Sequence, residues 1–499
     1  MRQQMRWLLP LLVALALLAP AASTRAGGGD TYSGGSDYGG SSDYGGSSDY
    51  GSSSYDYSSS SSSGGGTSEG GELAILLIFL FIGGLTVLGV AVQHWDRRST
   101  RKRAMASGKM LPAAQPYMFE LLNTHVGNFS RVMFDAFVRL VYTRYHESQG
   151  GFGSAGNALA VAPYLSPALR AKFKAAGDES GWIVVGAQRI THVALAEGRI
   201  IAHVHIKANL RLKTGDKFKR QLLSEELRFE RPVGVVSREP EKVYSLGCPA
   251  CGASQELTLR GTCPSCGTAI GGGELDWQLT GIKTLARTDV GEGVISQAAE
   301  VGTNLPTVVD PRLKSRWRAL TSRDPQLTQE LLLARFKMIF EAIQKGWTMQ
   351  DAGLIRPHEL DTLYDMHVYW LARFKEERIR NVLENLKVKR IELAKIDHDA
   401  WYDAVTVRIR AQVDDFYVDA EGNPLAGEAG REFTEYWTFI RRSGRQHGVP
   451  RAKLECPSCG AALDKVNQAG ICEYCGNKVV TGDFDWVLAT IEQDEEYRG

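Results

Sequence analysis

The cysteines are the residues whose type and spacing point most directly to chemistry. All eight stand in CxxC pairs, and the pairs are grouped two by two along the chain. The first group consists of Cys248, Cys251, Cys263 and Cys266, and the second of Cys456, Cys459, Cys472 and Cys475. Each CxxC turn directs two sulfur atoms at one point, so a group supplies the four thiolates that Zn²⁺ prefers in a closed structural site. We therefore predict two structural zinc sites, with no open metal position for a substrate.

Redox-active or disulfide-forming motifs are the alternative for the same cysteines. The spacing favours metal, because the pairs occur twice at the distance typical of zinc ribbons, with no solitary cysteine and no strand-to-helix redox context. A glycine follows the second cysteine of every pair, and glycine tolerates the positive φ that a metal knuckle requires. These glycines are Gly252, Gly267, Gly460 and Gly476.

The cysteine groups belong to a longer repeat. Each group is followed by an Asp-Trp pair, Asp276-Trp277 and Asp485-Trp486. Each is preceded at a similar offset by a related strand-like run, residues 224–231 and residues 434–441. The chain therefore reads as two copies of a globular module plus a zinc ribbon.

Composition limits the classes of function. The 499 residues leave room for two or three domains, and the net charge of +1 argues against a nucleic-acid-binding role for the whole protein. Zinc ribbons also occur in nucleic-acid machinery, but the segments beside these cysteines carry neither a dense basic stripe nor interleaved aromatic residues. Nucleic acid is not expected as a partner.

The N-terminal part has the composition of export and membrane segments. Residues 1–26 combine a short basic start with an apolar run and small residues, which predicts a signal peptide, with an uncleaved membrane helix as the alternative. Residues 27–72 are rich in Gly, Ser and Tyr, which predicts a disordered tail, either a plain tail or one whose tyrosines mediate weak association. Residues 73–92 contain no charge and are long enough to be a transmembrane helix.

The flanks of that helix set its orientation. Glu69 and Glu72 precede it, whereas the basic linker at residues 93–116 contains Arg97, Arg98 and Lys102. The positive-inside rule then predicts a single-pass protein with its C-terminal domains in the cytoplasm, where thiols stay reduced. The linker also suits anionic lipid head groups, although a role in setting the topology is sufficient.

Periodicity predicts an α+β fold for both modules. The first, residues 117–245, opens with an amphipathic helix and continues with three strand-like runs, and the second, residues 310–445, repeats this order. In the second strand of the first module, Ala202 and Val204 alternate with His203 and His205, so the small apolar set is expected to face inward. The ribbons are expected at residues 246–285 and 455–491, and a linker at 286–309.

Several runs in the second module resemble the Tim-forty-four-like domain, a family named for the mitochondrial inner-membrane translocase subunit that tethers the import chaperone to the channel. The resemblance rests on Asp324-Pro325, Phe336, Phe340, Ile343-Gln344, Trp347, Asp351, residues 413–417 and residues 434–442. The family includes bacterial membrane proteins that end in a four-cysteine ribbon. The first module is similar only through the duplication, since it lacks a counterpart to Trp437.

The resemblance implies a cone-shaped fold of the nuclear-transport-factor-two-like type at a bacterial inner membrane, acting as a scaffold or tether without catalysis. It also suggests a hollow. Asp415, with Tyr417 or Trp437, is a candidate for the lining of this hollow, which leaves a small-ligand receptor or an enzyme as the alternative function, although structural roles are favoured for these side chains. Asp414 and Asp415 should point to opposite faces of their strand.

Two weaker patterns have structural interpretations. Residues 151–156 match GxGxxG, but helical sequence precedes them and no βαβ unit surrounds them, so a loop is expected rather than a dinucleotide site. His203 and His205 share a strand face but have no third ligand nearby in sequence, which favours a solvated or packed pair over a metal site.

Overall fold

The described part of the chain begins at the first helix. A computed structural model describes residues 116–499, apart from 151, 153–157, 159, 174–180, 216, 244–245, 247, 254–261, 271, 296–299, 301, 445–448 and 495. The predicted signal peptide, tail, transmembrane helix and most of the basic linker lie outside the described residues, as does most of the loop at 151–156. Across the described ranges, no helix combines the length and the apolar character needed to cross a membrane.

The first module consists of helices followed by long strands. Its helices are α1 (Pro116–His125), α2 (Arg131–Gly150), α3 (Pro167–Arg170) and α4 (Pro240–Val243). Its strands are β1 (Gly181–Ala196), β2 (Arg199–Thr214), β3 (Lys217–Pro232) and β4 (Gln278–Val290). They form an antiparallel sheet in the order β1-β2-β3-β4.

The second module repeats this arrangement. Its helices are α5 (Leu313–Arg323), α6 (Gln329–Thr348), α7 (Ala352–Ile355) and α8 (Asp361–Glu376). Its strands are β5 (Arg380–His398), β6 (Tyr402–Val418), β7 (Pro424–Arg442) and β8 (Val487–Gln493), in the order β5-β6-β7-β8. The predicted α+β class is confirmed, and the cone form of the modules stays a prediction.

Both cores follow the periodicity of the sequence. The side chains of Ala202 and Val204 on β2 are fully buried, as predicted, because they face α2 from the inner side of the sheet. Helix α6 begins after Thr328, whose hydroxyl accepts a hydrogen bond from the Leu331 amide. Its buried stripe packs on the second sheet, where Phe336 stacks on Phe439 at a ring distance of 3.9 Å.

A fourth strand closes each sheet after the cysteine segment. We call the segment between β3 and β4 ribbon 1 and the segment between β7 and β8 ribbon 2. Residues 278–290 form β4, although the sequence suggested ribbon and linker there, and residues 487–491, expected in the second ribbon, belong to β8. The outer part of β4 is exposed at the edge of its sheet and therefore carries polar side chains that resemble a loop in sequence.

The duplication holds at the level of register. Leu165 forms a parallel bridge with Leu279, and Glu359 forms the equivalent bridge with Leu488. Leu279 and Leu488 each lie two residues after the tryptophan that follows the ribbon. Segments of each module that are far apart in sequence thus meet at matching positions.

The Asp-Trp pairs also repeat their local geometry. The Trp277 amide donates to Asp276 Oδ1 at 2.8 Å, and the Trp486 amide donates to Asp485 Oδ1 at 2.7 Å. Both indoles are buried at the start of the fourth strand. The repeat seen in the sequence is therefore a repeat of structure, with each ribbon inserted before the last strand of its sheet.

Candidate metal centres

Ribbon 1 brings its four cysteines together. Their sulfur atoms all lie within 4.8 Å of one another. The Sγ atoms of Cys248 and Cys266 are 3.9 Å apart, and so are those of Cys251 and Cys263. Four sulfur ligands at about 2.3 Å from one metal form a tetrahedron with edges of about 3.8 Å. The cluster therefore has the dimensions of a metal site.

Ribbon 2 forms a second cluster of the same size. The Sγ atoms of Cys456 and Cys475 are 4.0 Å apart, and those of Cys459 and Cys472 are 3.9 Å apart. All eight cysteines are free thiols in the structure, and these separations are about twice the 2.0 Å of a disulfide bond. Both four-cysteine groups can therefore hold a metal ion, as predicted.

The glycine after each pair closes a tight turn. Its amide donates to the carbonyl of the first cysteine, as from Gly252 to Cys248 at 2.8 Å and from Gly460 to Cys456 at 2.9 Å. Gly267 and Gly476 make the same bond, and all four glycines have φ between 70° and 79°. The backbone thus holds each CxxC pair in one conformation, as the sequence predicted.

The thiols of each cluster differ in environment. Burial raises the pKa of Cys248 and of Cys456 to about 12. Hydrogen bonds from Thr268 lower the pKa of Cys266 to about 6, and one from the Asn477 amide lowers that of Cys475 to about 6. One thiol in each cluster is thus shielded from water and another is readily ionised.

An arginine connects ribbon 1 to the first module. The Arg238 guanidinium donates to the Cys248 carbonyl at 3.3 Å and to Asp276 Oδ2 at 2.8 Å. It also donates to the Tyr164 hydroxyl at 3.0 Å. One side chain therefore joins a metal knuckle, the Asp-Trp pair and the helical layer.

Ribbon 2 is connected to its module by Arg356, which is almost completely buried. Its guanidinium donates to the Gln468 carbonyl at 2.7 Å and to the Glu359 carbonyl at 3.0 Å, and it pairs with Asp361. Gly470 has φ of 76°, and a Cβ at this position would lie 2.8 Å from the Arg356 guanidinium. Ribbon 2 is thus fitted closely against α7 and α8.

A cleft of about 450 Å³ lies beside this contact. Arg356, Tyr364 and Asp365 line it from the helical layer, and Gln468 and Lys478 line it from ribbon 2. The lining residues come from three separate segments, so no local pattern in the sequence could have indicated the cleft.

The structure does not bring the predicted pocket residues together. Asp415 is paired with Glu428, whereas Trp437 is paired with Val407, eight positions away along β6. At about 3.3 Å per residue this places Asp415 and Trp437 roughly 26 Å apart along the strand. Tyr417 lies near Asp415 and, like the other two side chains, is fully buried. The register therefore separates Trp437 from Asp415 and Tyr417.

Each of these side chains has a structural contact instead. Asp415 Oδ1 accepts a hydrogen bond from the Asn381 amide at 2.7 Å, and Trp437 Nε1 donates to Glu435 Oε2 at 2.9 Å. The neighbouring Asp414 faces the other side of the sheet, where it accepts a bond from the Gly430 amide at 2.7 Å. The opposite orientation of the two aspartates follows the predicted alternation.

A buried glutamate on the third strand of each sheet was not singled out in the sequence. In the first module, Glu225 accepts hydrogen bonds from Tyr142 at 2.7 Å, His146 at 2.9 Å and Thr284 at 2.7 Å. The equivalent Glu435 accepts one from Gln493 at 3.0 Å. One feature of the sequence pointed to this glutamate: when residues 224–231 are aligned with residues 434–441, a glutamate stands at the same place in both copies.

Comparison with known proteins identifies one family. Residues 313–449 match the family model described as Tim44-like domain. No curated protein is matched by the chain. The matched segment begins with α5, includes β5 to β7 and stops before the cysteines of ribbon 2. The family model thus matches the same part of the chain, residues 313–449, in which the sequence showed the resemblance.

Proposed function

We propose that the protein is a membrane-anchored, non-catalytic scaffold that presents its Tim44-like domain and the duplicated first module to a protein partner or to lipid. The match of residues 313–449 to the Tim44-like domain carries this proposal. The family resemblance implies a tether at an inner membrane. The charge-free run at residues 73–92 supplies the anchor in this proposal, with the modules on the cytoplasmic side.

Structural zinc is the cofactor of this scaffold. The 3.9–4.0 Å sulfur separations fit four-thiolate coordination of Zn²⁺, and thiolate ligands favour zinc among the common cellular divalent ions. Four protein ligands occupy every position of a tetrahedral ion, which leaves no site for a substrate. The zinc would hold each ribbon folded, because so short a segment buries little apolar surface of its own.

Site-specific photo-crosslinking in the membrane tests the scaffold role. We place a photoreactive phenylalanine analogue at Tyr474, whose side chain is 70% exposed on ribbon 2, and at Val368, which is 38% exposed on α8. A scaffold should give a discrete adduct with one polypeptide or with lipid from at least one of these positions. The same analogue at the exposed Leu425, at the start of β7, is the control for random encounters. Adducts that are equally diffuse at all three positions would refute a specific docking surface.

The receptor alternative now depends on the cleft beside Arg356 rather than on Asp415 and Trp437. A thermal-shift screen of the full chain in detergent distinguishes it from the scaffold. Saturable stabilisation by a small molecule, lost in Lys478→Ala but kept in Lys453→Ala, would favour a receptor. Lys453 is an exposed lysine of ribbon 2 that does not line the cleft.

A further inference from the structure

The outer face of the first sheet carries an unassigned group of metal-binding side chains. His203 and His205 share this face of β2, while their neighbours Ala202 and Val204 point into the core. Two histidines at this spacing direct their rings to the same side of the sheet, but a metal site needs a further ligand from a neighbouring strand. On β3, Arg228 is opposite His203 and Glu226 is opposite His205, so the side-chain contacts decide which histidine has that ligand.

His192 on β1 is directly opposite His203. Residues that face each other across an antiparallel pair have Cβ atoms about 4.5–5.5 Å apart. The two imidazole rings have centroids 5.9 Å apart. Two imidazoles bound to one metal at about 2.0 Å have ring centroids about 5 Å apart, so the two rings must approach by about 1 Å to bind one ion.

Glu226 on β3 supplies a carboxylate on the other side of His203. Its Oε1 lies 3.5 Å from His203 Nδ1, and the two side chains are 37% and 29% exposed. This separation is longer than an ordinary hydrogen bond. It is close to the roughly 3.3 Å between two ligand atoms that each lie about 2.0 Å from a tetrahedral metal. The pair is thus spaced as two ligands of one ion.

His205 has a different environment although it lies only two residues away. Its Nε2 is 2.8 Å from the Ser224 hydroxyl, and it is opposite Arg189 on β1. Glu226 is opposite His205 in the register, but its carboxylate lies against His203, and the Ser224 hydroxyl occupies one ring nitrogen of His205. His205 is therefore a matched control for His203.

We propose that His192, His203 and Glu226 bind a divalent transition metal such as Zn²⁺ or Ni²⁺ on the outer face of the first sheet. Two imidazoles and one carboxylate are a ligand set that such ions accept. Three protein ligands leave one position open to water or to a donor atom from another molecule. This site differs from the four-cysteine clusters, whose metal would be enclosed by protein.

Equilibrium dialysis of the full chain in detergent tests the proposal. At nanomolar free zinc, set by a chelator, wild type should retain only the two equivalents of the cysteine clusters. At micromolar free zinc it should bind a third, which His203→Ala and His192→Ala should lose. Loss of an outer-shell partner lowers metal affinity by roughly 10- to 100-fold. Removing a ligand should lower the zinc affinity of the third site by more than that. His205→Ala should still bind three equivalents.

A spectroscopic measurement identifies the ligands. Ni²⁺ added to zinc-loaded wild type should give the absorption of nitrogen and oxygen ligands, which disappears in His203→Ala and weakens in Glu226→Gln. Retention of the two tight zinc ions shows that each variant is folded. Two equivalents in wild type at micromolar zinc, or equal loss of the third in His205→Ala, would overturn the proposal.

Discussion

The buried glutamate of the first module illustrates how a charged residue can be kept inside a core. Burial raises the pKa of Glu225, but the hydrogen bonds from His146, Tyr142 and Thr284 outweigh it and bring the pKa down to about 2. The ordinary value for glutamate is 4.5. The ionised form is therefore favoured by folding, and the three donors hold α2 and β4 against β3.

The low pKa of Glu225 predicts a specific dependence of stability on pH. A carboxyl group whose pKa is lower in the folded state contributes stability above its unfolded pKa and loses it as the pH falls. The shift from 4.5 to about 2 corresponds to about 3 kcal/mol at pH 7, most of which is lost by pH 3. Glu225→Gln should therefore destabilise the first module at pH 7 but have a much smaller effect at pH 3, as measured by urea unfolding.

The neighbouring Glu226 provides the control for that experiment. It points to the opposite face and is 37% exposed, so Glu226→Gln without added metal should change stability by less than about 0.5 kcal/mol at either pH. If Glu225→Gln lowers the free energy of unfolding equally at pH 7 and pH 3, the stabilisation by the three hydrogen bonds does not depend on the charge of the Glu225 carboxylate.

The residues that sequence could identify are those whose role depends on their neighbours in the chain. The cysteines were assigned because CxxC spacing alone fixes how two sulfurs are directed. Glu225 was missed because its donors Tyr142 and His146 lie 83 and 79 residues away. The separation of Asp415 from Trp437 could not be predicted for the same reason, since it depends on the register of β6 with β7.

At the scale of elements, each ribbon interrupts a sheet between its third and fourth strands. The last strand, β8, pairs with β7 only after the chain has passed through ribbon 2. Trp486 and Leu488 at its start are fully buried in the second core. The ends of the ribbon must therefore be held in place for β8 to pair, and a metal bound by the four thiols would hold them there.

Loss of the second metal should therefore release a strand as well as a ribbon. In Cys456→Ser,Cys459→Ser we expect one equivalent of zinc to be lost and amide exchange of residues 487–493 to rise at least about tenfold. The strand β4 should keep its protection. Zinc stoichiometry and hydrogen exchange with mass spectrometry measure the two effects.

The duplication supplies the matched variant. Cys248→Ser,Cys251→Ser should lose the other equivalent and deprotect residues 278–290, while β8 stays protected. If both variants deprotect both strands, the ribbons act on the whole molecule rather than each on its own sheet. Unchanged zinc content in either variant would contradict metal binding by the cysteines.

Strands with alternating apolar residues were predictable, and edge elements were not. The clear alternation of Val405, Val407 and Ile409 predicts a strand at residues 401–418, and β6 agrees with this range within one residue. The sequence predicts the next strand at residues 432–442, but β7 begins earlier, at Pro424, because Asp419 accepts bonds from the Glu421 and Asn423 amides and so confines the turn to a few residues.

At the scale of the whole molecule, the two modules contact each other through charged and apolar side chains. Arg211 on β2 forms a bidentate pair with Glu376 at the end of α8, with distances of 3.0 and 3.1 Å. Tyr402 and Ile440 of the second module join the apolar cluster of the first. Apart from residues 304–306, the described residues fall in one compact unit. The two copies could be recognised in the sequence, but no contact between them could be predicted, because none of these pairs is local.

The proposed anchor makes a prediction about which side of the membrane this unit occupies. Five basic residues follow the apolar run, whereas Glu69 and Glu72 precede it, so the positive-inside rule places residues 93–499 in the cytoplasm. Protease added to intact spheroplasts should leave this part uncut, and the same protease should digest it in inside-out vesicles.

The five basic residues are Arg97, Arg98, Arg101, Lys102 and Arg103. Replacing all five by serine should produce a mixed orientation, whereas replacing Arg312, Lys314 and Arg316, far from the membrane segment, should not. Cleavage of the wild-type modules from outside would place the thiols in an oxidising compartment and argue against zinc as well as against a cytoplasmic scaffold.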